Sequence, residues 1–206
     1  METNNFSEKE SLELITKMIN STKDSMDIGR WNQFVVWGIF TVLLGLVIFV
    51  LMVYTGSPKW NWLWFLMFAF WYSQKLIADR KPQPVVTYNS KAISSVWKVL
   101  GFLFALTPIT LTILAFLDYG MVSMTLMMPL TLIHMGIGVS FSGIILHEPF
   151  VTYIPIVCMI SPIVMFNVIL DIPGMTLEWY LIYLITVFVM MVIPGIILHY
   201  KTINKK

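Results

Sequence analysis

The sequence predicts an all-α polytopic membrane protein, a bundle of six transmembrane helices preceded by a short amphipathic cytoplasmic helix. Three observations predict this class. Hydrophobic residues make up 58% of the 206 residues, and charged residues only 12%, about half the share found in soluble domains. The charges are clustered, so that long uncharged runs remain between them. Finally, Lys and Arg concentrate in every second connection between those runs.

Six apolar runs are long enough, or nearly so, to cross a hydrocarbon core of about 30 Å at roughly 1.5 Å per residue. They cover residues 32–54, 60–77, 94–117, 121–146, 150–170 and 178–199. Helices are predicted because lipid offers the main chain no hydrogen-bond partners, whereas a helix satisfies its own. We therefore expect one six-helix domain over 32–199, between a polar arm at 1–31 and a basic tail at 200–206.

The basic residues predict the orientation. Four lie in the N-terminal arm, five around the connection between the second and third spans, and three in the tail, whereas the opposite side has only Lys59. Because Lys and Arg are retained in the cytoplasm, both termini are predicted to be cytoplasmic and the chain to lie in the inner membrane. Trp60, Trp62, Trp64 and Tyr180 are predicted near the outer interface, where amphipathic rings are favoured.

The arm at 7–22 is predicted to form a short cytoplasmic helix. Leu12, Ile15 and Ile19, joined by Leu14 and Met18, make an apolar stripe on an otherwise charged segment. Such a helix lies on the membrane surface or packs on the bundle. The alternative is a helix that docks on a protein partner or on a second copy of the chain.

The fourth span carries His134, the ionisable residue nearest to a predicted bilayer centre, and such residues are functional candidates. Thr41, Thr107, Ser161 and Thr186 fall at similar depth in spans one, three, five and six. A polar cluster around His134 is the functional hypothesis. The structural alternative is a neutral imidazole that hydrogen-bonds between helices, which the lack of an accompanying carboxylate or lysine favours.

Small residues also mark the fourth span. Gly136 with Ser140, and Gly138 with Ser142, form two interleaved pairs four residues apart, followed by Gly143. Small residues at this spacing let a neighbouring helix approach closely, so a packing role is predicted. The turn His147-Glu148-Pro149 between spans four and five is predicted to be tight, with His147 and Glu148 as solvated polar surface.

No catalytic, metal or cofactor site is predicted. The sequence has no phosphate-binding loop, no His-Glu-x-x-His motif and no Gly-x-Ser-x-Gly elbow, and its one cysteine is Cys158. Thioethers could bind Cu(I) in the fourth span, but methionine more often fills irregular space in a helical bundle. These methionines are Met121, Met124, Met127 and Met128.

The chain resembles a group of six-span inner-membrane proteins of Bacteroidota. The likeness rests on short motifs along nearly the whole sequence, and the group has no established biochemistry. It implies a six-helix fold and a cytoplasmic-membrane location, without an activity, substrate or cofactor. The motifs are Glu10–Ile19, Val36-Trp37-Gly38, Val86-Thr87-Tyr88, Gly136-Ile137-Gly138 with Ser142-Gly143, and Ile193-Pro194-Gly195.

Two functions are therefore expected as alternatives. In the first, the protein is not an enzyme and acts through protein or membrane contacts, with residues 7–22 engaging a partner or a second copy. In the second, it is a small transporter for a neutral or apolar solute with a polar site near His134. The second draws on prolines in spans three to six, since broken helices can frame transporter sites. These are Pro108, Pro129, Pro155, Pro162 and Pro194.

Overall fold

The computed structural model describes residues 8–80, 88–117, 126–171 and 177–203, and the prediction of an all-helical fold is confirmed for these residues. Eight α-helices are joined by one 3₁₀ and one π segment within the described ranges. Their bounds are α1 Glu8–Thr55, a 3₁₀ helix Pro58–Phe65, α2 Leu66–Asp79, α3 Tyr88–Phe116, α4 Met127–Leu146, α5 Pro149–Cys158, α6 Ile160–Asp171, α7 Leu177–Val187, a π-helix Phe188–Val192 and α8 Ile193–Ile203.

Five helical stretches are long and apolar enough to cross a membrane: Gln33–Thr55, Lys91–Leu114, Met127–Leu146, Pro149–Val168 and Glu178–Lys201. They correspond to five of the six predicted spans. The predicted span at 60–77 differs, because its first part is 3₁₀ helix and only the remainder, α2, is α-helical. The start of the predicted fourth span, 121–125, lies outside the described residues.

The N-terminal arm is not a separate helix. Residues 8–22 are helical, as predicted, but the helix continues to Thr55 and is 48 residues long. The region between the arm and the first span holds no proline, and its one glycine, Gly29, costs a helix only about 1 kcal/mol. Polar residues alone do not end a helix, which is why the predicted boundary near residue 22 is wrong.

The first and last parts of the chain pack antiparallel. Gly195 lies against Val35, and Gly45 lies against Leu184. Between them, a Cβ at Gly38 would approach the side chain of the π-helix residue Val192 to 2.8 Å. Glycines therefore let α1 contact α7, the π-helix and α8 along the candidate span Gln33–Thr55.

Contacts between rings set the direction of α2 and α3. Phe70 of α2 stacks on Phe40 at 3.8 Å and meets Trp37 edge-on, whereas Trp64, just before α2, lies against Gly45, so α2 runs back along α1. Trp97, near the start of α3, lies 5.5 Å from Phe34. The starts of the candidate spans in α1 and α3 are thus at the same end of the bundle.

The bundle has two ends, which are named here after Lys201 and Tyr180. The Lys201 end holds Phe34, Trp97 and the ion pair between Lys201 and Glu148. The Tyr180 end, opposite, holds the end of α1 and the 3₁₀ helix, whose Trp64 donates a hydrogen bond to Tyr180.

Prolines interrupt the last two of the five candidate spans. The stretch Pro149–Val168 breaks at Met159, where α5 gives way to α6, between Pro155 and Pro162. In the final stretch the π-helix ends at Val192, two residues before Pro194, and the Ile193 amide donates to the carbonyl of Phe188, five residues earlier. Proline lacks the amide that an α-helix needs, so irregular turns at these positions are expected.

The surface of the bundle is largely apolar. Ile48, Leu132, Val187 and Met190 are fully buried in its core. Yet each of the five candidate spans also exposes more than half of at least one large hydrophobic side chain, as expected of a surface that contacts lipid. Examples are Leu43, Phe102, Phe141, Val157 and Ile185.

Candidate functional site

Two of the five mid-span polar residues are brought together. The Thr186 hydroxyl lies 3.1 Å from that of Ser161, linking α7 to α6, and also 2.8 Å from the carbonyl of Ile182. Thr186 is only 7% exposed, so this bond is made inside the bundle. This bond joins two of the five residues to each other and does not involve His134.

Thr41 and Thr107 are satisfied by their own helices. Thr41, 1% exposed, donates to the Trp37 carbonyl at 2.8 Å, and its oxygen is 4.0 Å from the sulfur of Met67. Thr107 donates to the Leu103 carbonyl at 2.8 Å. Neither makes a hydrogen bond to His134 within the described part of the chain, so the five residues do not form one hydrogen-bonded cluster.

His134 packs against an aromatic ring rather than a polar group. Its imidazole meets Phe104 of α3 edge-to-face, with ring centroids 5.3 Å apart. Its Nδ1 is buried and has no hydrogen-bond partner among the described residues. Leaving a buried polar atom unsatisfied costs about 1–3 kcal/mol, so this nitrogen is the most anomalous atom of the predicted site.

One small-residue pair of α4 faces α3. Trp97 donates its indole N–H to the Ser142 hydroxyl at 3.1 Å, and Ser142 donates to the Gly138 carbonyl at 2.7 Å. A Cβ at Gly138 would come within 2.6 Å of Leu100. His134, Gly138 and Ser142 thus share the α3-facing side of α4.

The other pair faces α5 and the π-helix. A Cβ at Gly136 would meet the methyl ends of Met159 at 2.6 Å and Met190 at 3.3 Å. Gly143, on the same side, approaches the main chain of α5 at Thr152. The break at Met159 and the π-helix therefore meet at Gly136, where two irregular turns face one regular helix.

A buried hydrogen-bonded aromatic group at the Tyr180 end was missed by the sequence reasoning. Trp64 donates to the Tyr180 hydroxyl at 2.8 Å, and Tyr180 in turn donates to Asn61 at 3.4 Å. Tyr183, 4% exposed, accepts from Thr131 at 3.5 Å and meets Trp64 edge-on. The signal was available, because Tyr180 and Tyr183 are three residues apart on one helix face.

The turn between α4 and α5 differs from its prediction at Glu148. This carboxylate is 19% exposed and ion-paired with Lys201, so the prediction that it is only solvated surface is wrong. The Lys201 ammonium also lies 5.6 Å from the ring of Phe150. The pair ties the end of α8 to the start of α5.

His147 ends α4 in a Schellman motif. Its φ of 58° is left-handed, its amide donates to the Ile144 carbonyl, and the Glu148 amide donates to that of Gly143. Glycine is the preferred residue at this position, since a side chain costs about 1–2 kcal/mol there.

Replacing His147 by glycine should therefore raise the melting temperature by about 2–4 °C, measured on purified protein in detergent. His199→Gly is the matched control. It places glycine inside α8 and should lower the melting temperature by a similar amount. If both variants lower it, the left-handed strain at His147 is not relieved by glycine.

Metal ligands are sparse where the chain is described. No three His, Cys, Asp or Glu side chains come together in the described ranges. Of the four methionines considered for copper, Met121 and Met124 lie outside those ranges.

Comparison with protein-family models, with curated proteins and with solved structures found no match for this chain. Its function must therefore be argued from its own residues.

Proposed function

We propose that this chain is an integral protein of the cytoplasmic membrane that crosses it six times, has both termini in the cytoplasm and acts through protein contacts made by its N-terminal helix. It is not an enzyme in this proposal. The observation that carries it is the unbroken α1, which joins the cytoplasmic arm to the membrane bundle without a hinge.

The sixth crossing is the segment Pro58–Asp79. Its eight 3₁₀ residues and fourteen α-helical residues rise by about 16 Å and 21 Å, together more than the roughly 30 Å of a hydrocarbon core. Its contacts follow α1 backwards, with Trp64 near Gly45 and Phe70 at Trp37. This return explains how α3 can begin at the Lys201 end although α1 finishes at the other.

The orientation follows from charge. Lys75, Arg80, Lys91 and Lys98 belong to the stretches that reach the Lys201 end, whereas Lys59 follows α1 at the Tyr180 end. The positive-inside tendency makes the Lys201 end cytoplasmic.

The arm is coupled to the bundle mechanically. The 25 residues before Gln33 would extend the helix by about 37 Å beyond the candidate span. Leu12 in this arm is 65% exposed, which leaves a large apolar side chain for a partner. Because no break intervenes, a partner that tilts the arm would also tilt the part of α1 that packs on α7 and α8.

The test compares two variants of the arm. In one, Leu12, Ile15 and Ile19 are changed to glutamine; in the control, Glu13 and Lys17 are changed to glutamine, so that both keep residues that favour helices. Proteins cross-linked to the chain in native membranes are identified by mass spectrometry. The apolar-face variant, like a chain lacking residues 1–25, should lose partners that the control retains. An unchanged set of partners in all variants would refute a contact role for the arm.

A second candidate function is passage of a small neutral solute near His134. The observation in its favour is the buried, unpaired Nδ1, which is available to a hydrogen-bonding solute. Proteoliposome uptake of glycerol and urea by the natural chain, reduced in His134→Ala, would support it. Uptake equal to that of protein-free vesicles would exclude it for these solutes.

A further inference from the structure

Two serines of α4 have opposite surroundings. Ser142 is satisfied twice, by Trp97 and by the Gly138 carbonyl. Ser140, two residues away, is 6% exposed, and its hydroxyl oxygen has no hydrogen-bond partner among the described residues. Buried hydroxyls usually have a hydrogen-bond partner.

The register of α4 against α5 identifies what Ser140 faces. Gly136 contacts Met159, and Gly143 contacts Thr152, so the two helices are antiparallel. Ser140 lies between the two glycines on the same side of α4. The residue at the corresponding level of α5 is Pro155, which is fully buried.

Pro155 changes the hydrogen bonding of its own helix. It has no amide hydrogen to donate to the carbonyl of Val151, four residues earlier, so that carbonyl loses its α-helical donor. Val151 is itself fully buried. The interface between α4 and α5, called the seam below, therefore holds two polar groups close to one level. They are the Ser140 hydroxyl, which has no partner among the described residues, and the Val151 carbonyl, which lacks its usual helical donor.

We propose that this seam binds one water molecule, which donates a hydrogen bond to the Val151 carbonyl and a second to the Ser140 oxygen. The ligand is neutral because none of the residues that frame the seam is charged; they are Gly136, Ser140, Gly143, Val151 and Pro155. It is small because the helices are closely packed on both sides of this level: a Cβ at Gly136 would collide with Met159, just after α5, and a Cβ at Gly143 would collide with α5 itself. Buried waters characteristically bridge polar groups that the chain leaves unpaired.

The alternative is a direct bond from the Ser140 hydroxyl to the Gly136 carbonyl, four residues earlier, with no ligand. The two arrangements predict different effects of Ser140→Ala. Loss of a bridging water leaves the Val151 carbonyl unsatisfied, whereas loss of a local bond within one helix has almost no effect on stability.

The test is a double-mutant cycle on the full chain in detergent. Ser140→Ala should lower the melting temperature by about 2–4 °C. In the Pro155→Ala background, where an amide again serves the Val151 carbonyl, the effect should fall to less than half. Ser142→Ala is the control and should lower it equally in both backgrounds. An unchanged or higher melting temperature for Ser140→Ala, or equal effects in both backgrounds, would overturn the proposal.

A direct measurement covers the case in which Pro155→Ala does not fold. A crystal structure of the natural chain at about 2 Å resolution should contain density within hydrogen-bond distance of both the Ser140 Oγ and the Val151 carbonyl oxygen. Clear density for both groups with none between them would rule the water out.

Discussion

Replacing Gly143 by alanine is expected to destabilise the protein by about 3 kcal/mol, lowering its melting temperature by roughly 10 °C. A Cβ there would come within 2.6 Å of the amide nitrogen of Thr152 and 2.8 Å of the carbonyl carbon of Val151. These are main-chain atoms, so a side-chain rotation cannot relieve the overlap. The whole of α5 would have to move away from α4.

Two other helical glycines are matched controls for this prediction. At Gly136 the nearest atom to a Cβ is the methyl end of Met159, which can rotate away, so Gly136→Ala should have a smaller effect. At Gly101 no atom lies within 4 Å, so alanine should stabilise the helix by up to about 1 kcal/mol. Equal effects at Gly143 and Gly101 would show that α4 and α5 are not in main-chain contact.

Trp64→Ala is expected to cost about 3–5 kcal/mol, the usual effect of removing a packed tryptophan. The change removes the indole N–H that donates to the Tyr180 hydroxyl, and it removes the edge-on contact with the Tyr183 ring, 5.9 Å away. Tyr180 is only 3% exposed. The 3₁₀ helix would then be held to α7 by much weaker contacts. The measurement is thermal unfolding in detergent, followed by tryptophan fluorescence and by circular dichroism.

Trp62 provides the control for Trp64. It belongs to the same 3₁₀ helix but is 73% exposed and stacks on Phe65 of its own segment. Trp62→Ala should change the melting temperature by no more than about 2 °C, as is usual for exposed positions. A Trp62 variant as unstable as the Trp64 variant would mean that the hydrogen bond to Tyr180 does not hold this segment.

The sequence was informative about the positions of the apolar helices, which depend on hydropathy alone. Five of the predicted spans reappear as helices within a few residues, because long uncharged runs leave the main chain no alternative to a helix. The 3₁₀ start of the second segment was not foreseeable from hydropathy, because the pattern of apolar residues in Pro58–Phe65 suits either kind of helix. The predicted end of the N-terminal helix near residue 22 was wrong because no residue there ends a helix.

The candidate site shows a different limit. Depth along a helix can be read from a sequence, and two of the residues placed at similar depth, Thr186 and Ser161, are hydrogen-bonded to each other. The direction in which a side chain points around the axis depends on which neighbours the helix has. Thr107 was therefore assigned to the cluster without a way to foresee that it donates a hydrogen bond to its own helix. Likewise, Pro194 marked an irregular turn without indicating that it would be a π-helix.

The proposed function depends on the membrane topology, and the topology depends on whether the segment Pro58–Asp79 crosses the membrane. In a Cys158→Ser background, single cysteines replace Ser57, just before this segment, and Asn89, at the start of α3. Intact cells are treated with a membrane-impermeant maleimide, before and after permeabilisation. The account predicts that Ser57→Cys reacts in intact cells and Asn89→Cys only after permeabilisation. Reaction of both from the same side would contradict the sixth crossing and, with it, the cytoplasmic position of the arm.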